Sequence, residues 1–293
     1  MTQLAIAIHE VSRAAMQRWL PQLDAWLLPG SIYSVQHTWP QLYRRDGDGV
    51  FFARCDGERL LAHCACRLVT LHTANGPLRA CLLGSVATDP AHRGRGHAGD
   101  VLAAALAATA PPCDVTLLWA ERPELYARHG FVAGAEEQAL VLARRPHGRT
   151  VAGVRRAEPR DHAALHALHE AKPWRVARSP HAMSGLLTIP GMTTVVLEEH
   201  GEVVAYACCG KGADLQGWWH ELGGSDAALA RLLPAALHLA EQTDAFLLLP
   251  PYRDELRERL AADTTAATTV PGPMQRTADG APRAVWVDGL DSV

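Results

Sequence analysis

The chain has 293 residues, a formal net charge of −3, 48% hydrophobic residues and 20% charged ones. This composition excludes a disordered or fibrous chain, and the length allows about two ordinary domains. The near-neutral charge, with no long basic tract, excludes an extended electrostatic surface for nucleic acid, so no nucleic-acid partner is expected.

No run of about 18 apolar residues occurs, so no membrane partner is expected, and the amino terminus lacks the pattern of a secretory leader. The seven cysteines (Cys55, Cys64, Cys66, Cys81, Cys113, Cys208 and Cys209) form no CxxC pair, and most lie in apolar strand-like runs. Buried free thiols in a reducing compartment fit this better than a disulfide framework. The expectation is a soluble, cytoplasmic protein, and the sequence is compatible with a homo-oligomer.

In chain order, residues 3–9 read as a strand, and 11–28 place Val11, Met16, Trp19, Leu20, Leu23 and Leu27 at helical spacing. A short helix over 35–45 ends before Asp46-Gly47-Asp48-Gly49. Strands follow at 50–55, 60–72 and about 78–88, with turns at Asp56-Gly57 and Asn75-Gly76. An alanine- and leucine-rich helix spans 100–109, a buried strand 115–120 and a short helix 122–129; residues 131–143 suggest a final strand pair. Residues 144–153, with Arg, Pro and Gly, read as a linker. The element order then restarts: a strand near 154, helices over 158–171 and 179–188, and a hairpin turning at His200-Gly201. A strand through Trp218-Trp219, a helix over 226–241, a strand over 245–250, a helix over 252–262 and a closing strand at 283–289 complete it. This predicts a repeat of about 140 residues and domains at 1–146 and 150–293.

The segment LLGSVATDPAHRGRGHAGDVLAAAL, residues 82–106, is the most informative. A strand ends at Thr88-Asp89-Pro90, passes through Arg93-Gly94-Arg95-Gly96-His97-Ala98 and opens into a helix. Helix N-termini offer unpaired N–H groups and a positive dipole end, which suits a pyrophosphate. Gly94 and Gly96 allow turn conformations and close approach of a ligand. Ala98 and Gly99 keep the first turn slim, and Arg93 and Arg95 add positive charge.

These residues resemble the acetyl-CoA signature of the GNAT superfamily of N-acetyltransferases, Q/R-x-x-G-x-G/A, through Arg93, Gly96 and Ala98. Val86 and Pro90 match the approach to it. The resemblance implies a cofactor site of Val86, Ala87, Thr88, Arg93, Gly94, Arg95, Gly96, His97, Ala98 and Gly99, the strand residues holding the pantetheine arm. Leu125-Tyr126-Ala127-Arg128-His129-Gly130-Phe131 resembles the second signature, whose tyrosine protonates the departing CoA sulfur. The implied fold class is α/β (α+β): two tandem GNAT-like folds, each a mixed, mostly antiparallel sheet flanked by helices. The implied reaction moves an acetyl group from acetyl-CoA to a primary amine, expected on a small molecule, by direct attack with Tyr126 as general acid. Glu121 is the best-placed carboxylate for a base, with His63 and His72 as alternatives. No cysteine sits beside a His–acid pair, so an acyl-cysteine route is not expected. A non-catalytic acyl-CoA-binding module and a protein lysine or N-terminal acetyltransferase are the competing readings.

The second half lacks both signatures: its corresponding helix start reads His220-Glu221-Leu222-Gly223-Gly224-Ser225-Asp226. It is expected to be a degenerate unit that helps shape the substrate cleft. The tandem arrangement and VATDPAHRGRGHA are similar to Eis-type bacterial N-acetyltransferases. Those carry a further sterol-carrier-like domain whose terminal carboxylate acts as base; this sequence is expected to lack it, and Val293 is assigned no such role. His162, His166 and His169 share one helical stripe, for which a solvated or interface face is expected and no metal. Trp218 and Trp219 are candidates to line a cleft between the halves, at least one of them packing in the core.

Overall fold

The computed structural model describes residues 8–109, 112–144 and 151–293. Of the strand expected over 3–9, residues 3–7 lie outside the described residues, and β1 is Ile8–Val11. The expected helix over 11–28 is two: α1 (Arg13–Gln17), capped by Ser12 accepting from the Ala15 amide at 3.2 Å, and α2 (Leu20–Leu27). Pro21 explains the break, since a proline lacks the N–H that a continuing helix needs and fits only a first turn. Pro40 divides the next helix in the same way into α3 (Val35–Thr38) and α4 (Pro40–Tyr43).

The strands β2 (Val50–Asp56), β3 (Arg59–Thr73) and β4 (Gly76–Thr88) form an antiparallel meander. Then come α5 (His97–Thr109), β5 (Val115–Leu118), α6 (Glu124–Ala127) and β6 (Glu137–Ala143). The second half holds β7 (Val154–Arg156), α7 (His162–Glu170), β8 (Arg175–Val176), α8 (Pro180–Leu186), β9 (Thr193–Glu199), β10 (Glu202–Lys211) and β11 (Asp214–Gly224). It ends with α9 (Asp226–Leu239), β12 (Asp244–Leu249), α10 (Asp254–Arg259), β13 (Thr264–Val270) and β14 (Met274–Arg276). The closing strand expected at 283–289 is not formed; that stretch is irregular, and the late strands are β13 and β14 instead.

Two seven-stranded mixed sheets result. The first runs β1-β2-β3-β4-β5-β14 with β8 also on β3; the second runs β13-β6-β12-β11-β10-β9-β7. The expected strand pair over 131–143 is therefore one strand plus a bridge between Val132 and Gln275. β6 leaves the first half for the second sheet, and β14 returns to pair with β5. A cut at 146/150 separates the chain halves but not the sheets, because each half gives a strand to the other's sheet.

Alternation along β3 and β4 sorts the core. Cys64, Cys66, Cys81 and Leu83 pack with Val101, Leu102 and Ala105 of α5, while Ala65 and Leu82 face the other side. The second core packs Leu229, Leu232, Leu233 and Ala236 of α9 on Leu197, Ala207 and Leu247.

A buried ionic network joins the sheets. Arg178 donates to Glu221 Oε2 at 2.9 Å and to Asp291 Oδ2 at 2.5 Å, and Arg67 of β3 donates to Asp291 Oδ1 at 2.9 Å. Lys172 Nζ reaches Glu221 Oε1 at 2.5 Å and Asp288 Oδ2 at 3.0 Å, and the Tyr206 hydroxyl donates to Glu221 at 2.8 Å. Burial alone would push the Glu221 and Asp291 carboxyls up, but the Arg178 guanidinium beside both brings them below their ordinary values. His169, buried in this network, donates from Nε2 to the Val176 carbonyl at 2.8 Å. His166 bonds the Arg178 carbonyl at 2.8 Å, so two of the three stripe histidines, His166 and His169, are held by backbone carbonyls of the same chain. His169, Glu221 and Asp288 come close enough together to suggest a cation site. The Lys172 ammonium already bridges the two carboxylates there.

Candidate active site

β4 carries a bulge where it matters. Ala65 opposes Gly84 and His63 opposes Ala87, so Ser85 and Val86 together face Cys64. Ser85 takes φ 52°, unusual for a residue with a Cβ, and the kink bends the strand. His63 supports the kink: its Nδ1 donates to the Ser85 carbonyl at 3.0 Å. Burial lowers the His63 pKa to about 4, so the imidazole is neutral. His63 is thus bound to the scaffold on one nitrogen and enclosed on the other.

β4 and β5 are paired only from Ala80–Val115 to Leu82–Leu117. Beyond that point they separate, and the backbone of 83–88 has no neighbouring strand on that side among the described residues. Val86, Ala87 and Thr88 lie on this free stretch. Val86, Ala120 and Tyr126 all pack on the core that α5 covers, so the opening is flanked by the end of β5 and by α6.

The Arg93–Gly99 segment turns from β4 into α5. Asp89 caps the short turn after the strand, accepting from the Ala91 amide at 2.9 Å and pairing with Arg59 at 2.7 Å. Gly94 and Gly96 have φ of 75° and 82°, and a Cβ at either would meet no protein atom. Both glycines are there for backbone conformation and face open space. Gly96 directly precedes α5 and has no side chain to cap it, which leaves first-turn N–H groups for a ligand. Arg93 and Arg95 are exposed beside it; His97 is buried, with its pKa lowered by that burial and then by Arg54. Ala98 and Gly99 follow on the first turn, with Gly99 over His129.

The comparable start of α9 is filled by its own side chains. Ser225 accepts from the Ala228 amide at 3.2 Å, and Asp226 accepts from the Leu256 amide and pairs with Arg253. A serine cap and an internal carboxylate occupy there what Gly96 leaves open.

Tyr126 stands on α6 with its ring edge-on to Phe131, centroids 6.2 Å apart. Its pKa is pushed up to about 12, mainly by burial and then by Cys64 and Glu121. Cys64 is the residue opposite the bulge, and Tyr126 packs on the same core as Cys64 and Val86. Glu121 is exposed beside it. His72 is half-buried on β3, opposite Pro77 at the far end of the β3–β4 pair.

On the other side of the opening lies a cavity of about 260 Å³ between the two sheets. Trp119, Trp218, Leu215, Leu248 and Val287 give it apolar walls, and Glu137 and Asp214 supply its carboxylates. Trp218 faces this cavity and stacks on Phe246 at 4.6 Å, while Trp219 is buried in the core. Val293 also lines it, and its backbone sits so close to Gly84 of β4 that a Cβ there would collide. The sequence did not single out Trp119 and Glu137, and it raised Val293 only as a terminal residue without a role. Trp119 directly follows an apolar strand and was legible as its end; the other two meet the site only through the strand exchange.

Residues 8–134 match the family model of the acetyltransferase (GNAT) domain. Among solved structures, a GCN5-related N-acetyltransferase from Kribbella flavida is 18% identical, covering 94% of this chain and 72% of its own with a TM-score of 0.68. One from Anabaena variabilis is 12% identical (93% and 72%, TM-score 0.69), and Eis1 from Mycobacterium abscessus is 16% identical (93% and 74%, TM-score 0.62). No curated protein matches the sequence. At these identities the structural likeness concerns the fold, which extends over both sheets, while the family match covers the half that carries the strand opening, the glycine turn and Tyr126. Residues 8–134 thus match the acetyltransferase (GNAT) domain, and the chain as a whole shares the two-sheet fold of these solved N-acetyltransferases.

Proposed function

We propose that the protein transfers an acetyl group from acetyl-CoA to the primary amine of a small molecule, using one cofactor site in residues 86–99. The observation that carries this reading is the bulged, separated end of β4 leading through Gly94 and Gly96 into the uncapped start of α5. The pyrophosphate would meet the first-turn N–H groups with Arg93 and Arg95 beside them. The pantetheine arm would pair with the free backbone edge of Val86, Ala87 and Thr88. A backbone N–H there would hold the oxyanion, an interaction typically worth about 3 kcal/mol.

Tyr126 suits the leaving group. A thiolate expelled from the thioester takes up a proton, and a half-buried phenol stays protonated across physiological pH and can give one. The small volume of the cavity between the sheets, about 260 Å³, favours a small acceptor over a protein side chain. The paired units at 1–146 and 150–293 divide the labour in this proposal, the first holding the cofactor and the second closing the cavity.

The test is calorimetric titration with acetyl-CoA of the wild type and of Gly96→Glu, followed by assay of CoA thiol release with a panel of amines. Micromolar binding that weakens at least tenfold in the variant is expected. A folded wild type that binds no acetyl-CoA would falsify the assignment.

A further inference from the structure

Resting on the acyl-transfer reading, we propose that the cavity between the sheets is the acceptor subsite, that it takes a monocationic primary amine on a planar apolar body, and that Glu137 receives the ammonium proton. Three observations carry this, and the first is position. Trp119 is the residue after β5, and Val293 rests on Gly84 of β4, so the cavity reaches both strands that flank the opening. A nitrogen bound there faces the gap in which the thioester would lie.

The second observation is chemical complement. Trp119 and Trp218 offer flat apolar faces, and a cation over an indole face gains electrostatically as well. No lysine, arginine or histidine is among the lining residues. A neutral or anionic ligand would leave the carboxylates unmatched, whereas an ammonium would pair with one.

The third is Glu137 itself. Among the described residues its carboxylate makes no hydrogen bond and no ion pair, although it is half-buried at the start of β6. The other carboxylate of the wall, Asp214, is turned to its own chain and accepts from the Leu215 amide at 2.9 Å. Behind the wall, Asp288 is held by Lys172 and by the Trp286 indole. Burial, and then Asp288, pushes the Glu137 carboxyl up to about 7. A base that titrates at working pH is well matched to an ammonium proton.

The ammonium gives one proton to Glu137, and the freed lone pair forms the C–N bond as the C–S bond breaks. Sulfur takes the Tyr126 proton, and the second proton shed by the new amide nitrogen returns to Tyr126. Glu137 then releases its proton to water, so one proton leaves per turnover.

The experiment titrates the full chain, without cofactor, with phenethylamine and with its neutral isostere 2-phenylethanol. The wild type, Glu137→Gln and Trp218→Ala are compared, circular dichroism reporting the fold. Phenethylamine should bind the wild type, weaken at least tenfold in Glu137→Gln and weaken in Trp218→Ala; 2-phenylethanol should bind poorly throughout. With acetyl-CoA present, kcat/KM for phenethylamine should fall at least 100-fold in Glu137→Gln and lose its inflection near pH 7, while acetyl-CoA affinity is unchanged. Equal binding of the alcohol, no binding of the amine, or unaltered amine affinity and pH profile in Glu137→Gln overturns the subsite. Glu137-dependent amine binding by a protein that ignores acetyl-CoA would keep the subsite and sink the acyl-transfer reading instead.

Discussion

Tyr126 and His63 show how burial sets the chemistry of single residues. Burial holds the phenol of Tyr126 neutral, and the role proposed for it needs the hydroxyl alone. Tyr126→Phe should keep its acetyl-CoA affinity and lose about 100-fold in kcat, the usual scale of a general acid, measured as CoA thiol release at saturating amine. Unchanged kcat would remove the phenol from the mechanism. His63 and His220 are both buried and neutral, each with its pKa lowered to about 4 by desolvation. In the unfolded chain an imidazole titrates near 6.5. As pH falls from 6.5 toward 4 the unfolded state therefore binds protons that the folded state refuses, and stability drops. The urea midpoint should be level above about pH 7 and decline steadily from pH 6.5 to 4.5. A midpoint unchanged across that window would show that both histidines can protonate in place.

At the scale of elements, two helices of similar position differ by what stands at their first turn. α5 starts after a glycine, with open space around Gly94 and Gly96; α9 starts after a capping serine, with Asp226 and Arg253 locked across it. The same dipole thus faces open space in one case and an internal carboxylate in the other. This is why Gly96→Glu should act on cofactor affinity: it puts an anion where the proposed site would hold the pyrophosphate, at a φ of 82° that a side chain adopts only with strain. The break between α1 and α2, and that between α3 and α4, were both legible in Pro21 and Pro40. The bulge at Ser85 was not, because serine carries no preference for a positive φ; it is imposed by the pairing with β3 before and after it and by the His63 hydrogen bond.

Across the whole molecule, the sheets are held together by exchange and by charge. β6 and β14 cross between them, and Arg178 sits with Glu221 on one side and Asp291, shared with Arg67 of β3, on the other. Removing the guanidinium leaves two buried carboxylates without their main partner. Breaking such a pair costs about 3–5 kcal/mol. Arg178→Met should therefore lower the urea unfolding free energy by that order, and should also weaken amine turnover, since the network's Asp288 and Asp291 lie in the segment that ends at the cavity wall. A loss well under 1 kcal/mol would show that the network contributes little to joining the sheets.

By itself the sequence determined what is local and periodic: the two runs of similar element order, the strand–glycine turn–helix of residues 82–106, and Tyr126 ahead of Gly130-Phe131. Each is written in neighbouring residues, where alternation, turn chemistry and helix entry act over a few positions. Tertiary structure alone decided the exchange of β6 and β14, the irregular path of 283–289, and the meeting of Trp119, Glu137, Trp218 and Val293 around one cavity. Those residues are separated by up to 174 positions, and no local pattern links them. What brings them together is the pairing of strands across the two halves, a choice made by which edges and apolar faces are left to bury once each half has formed.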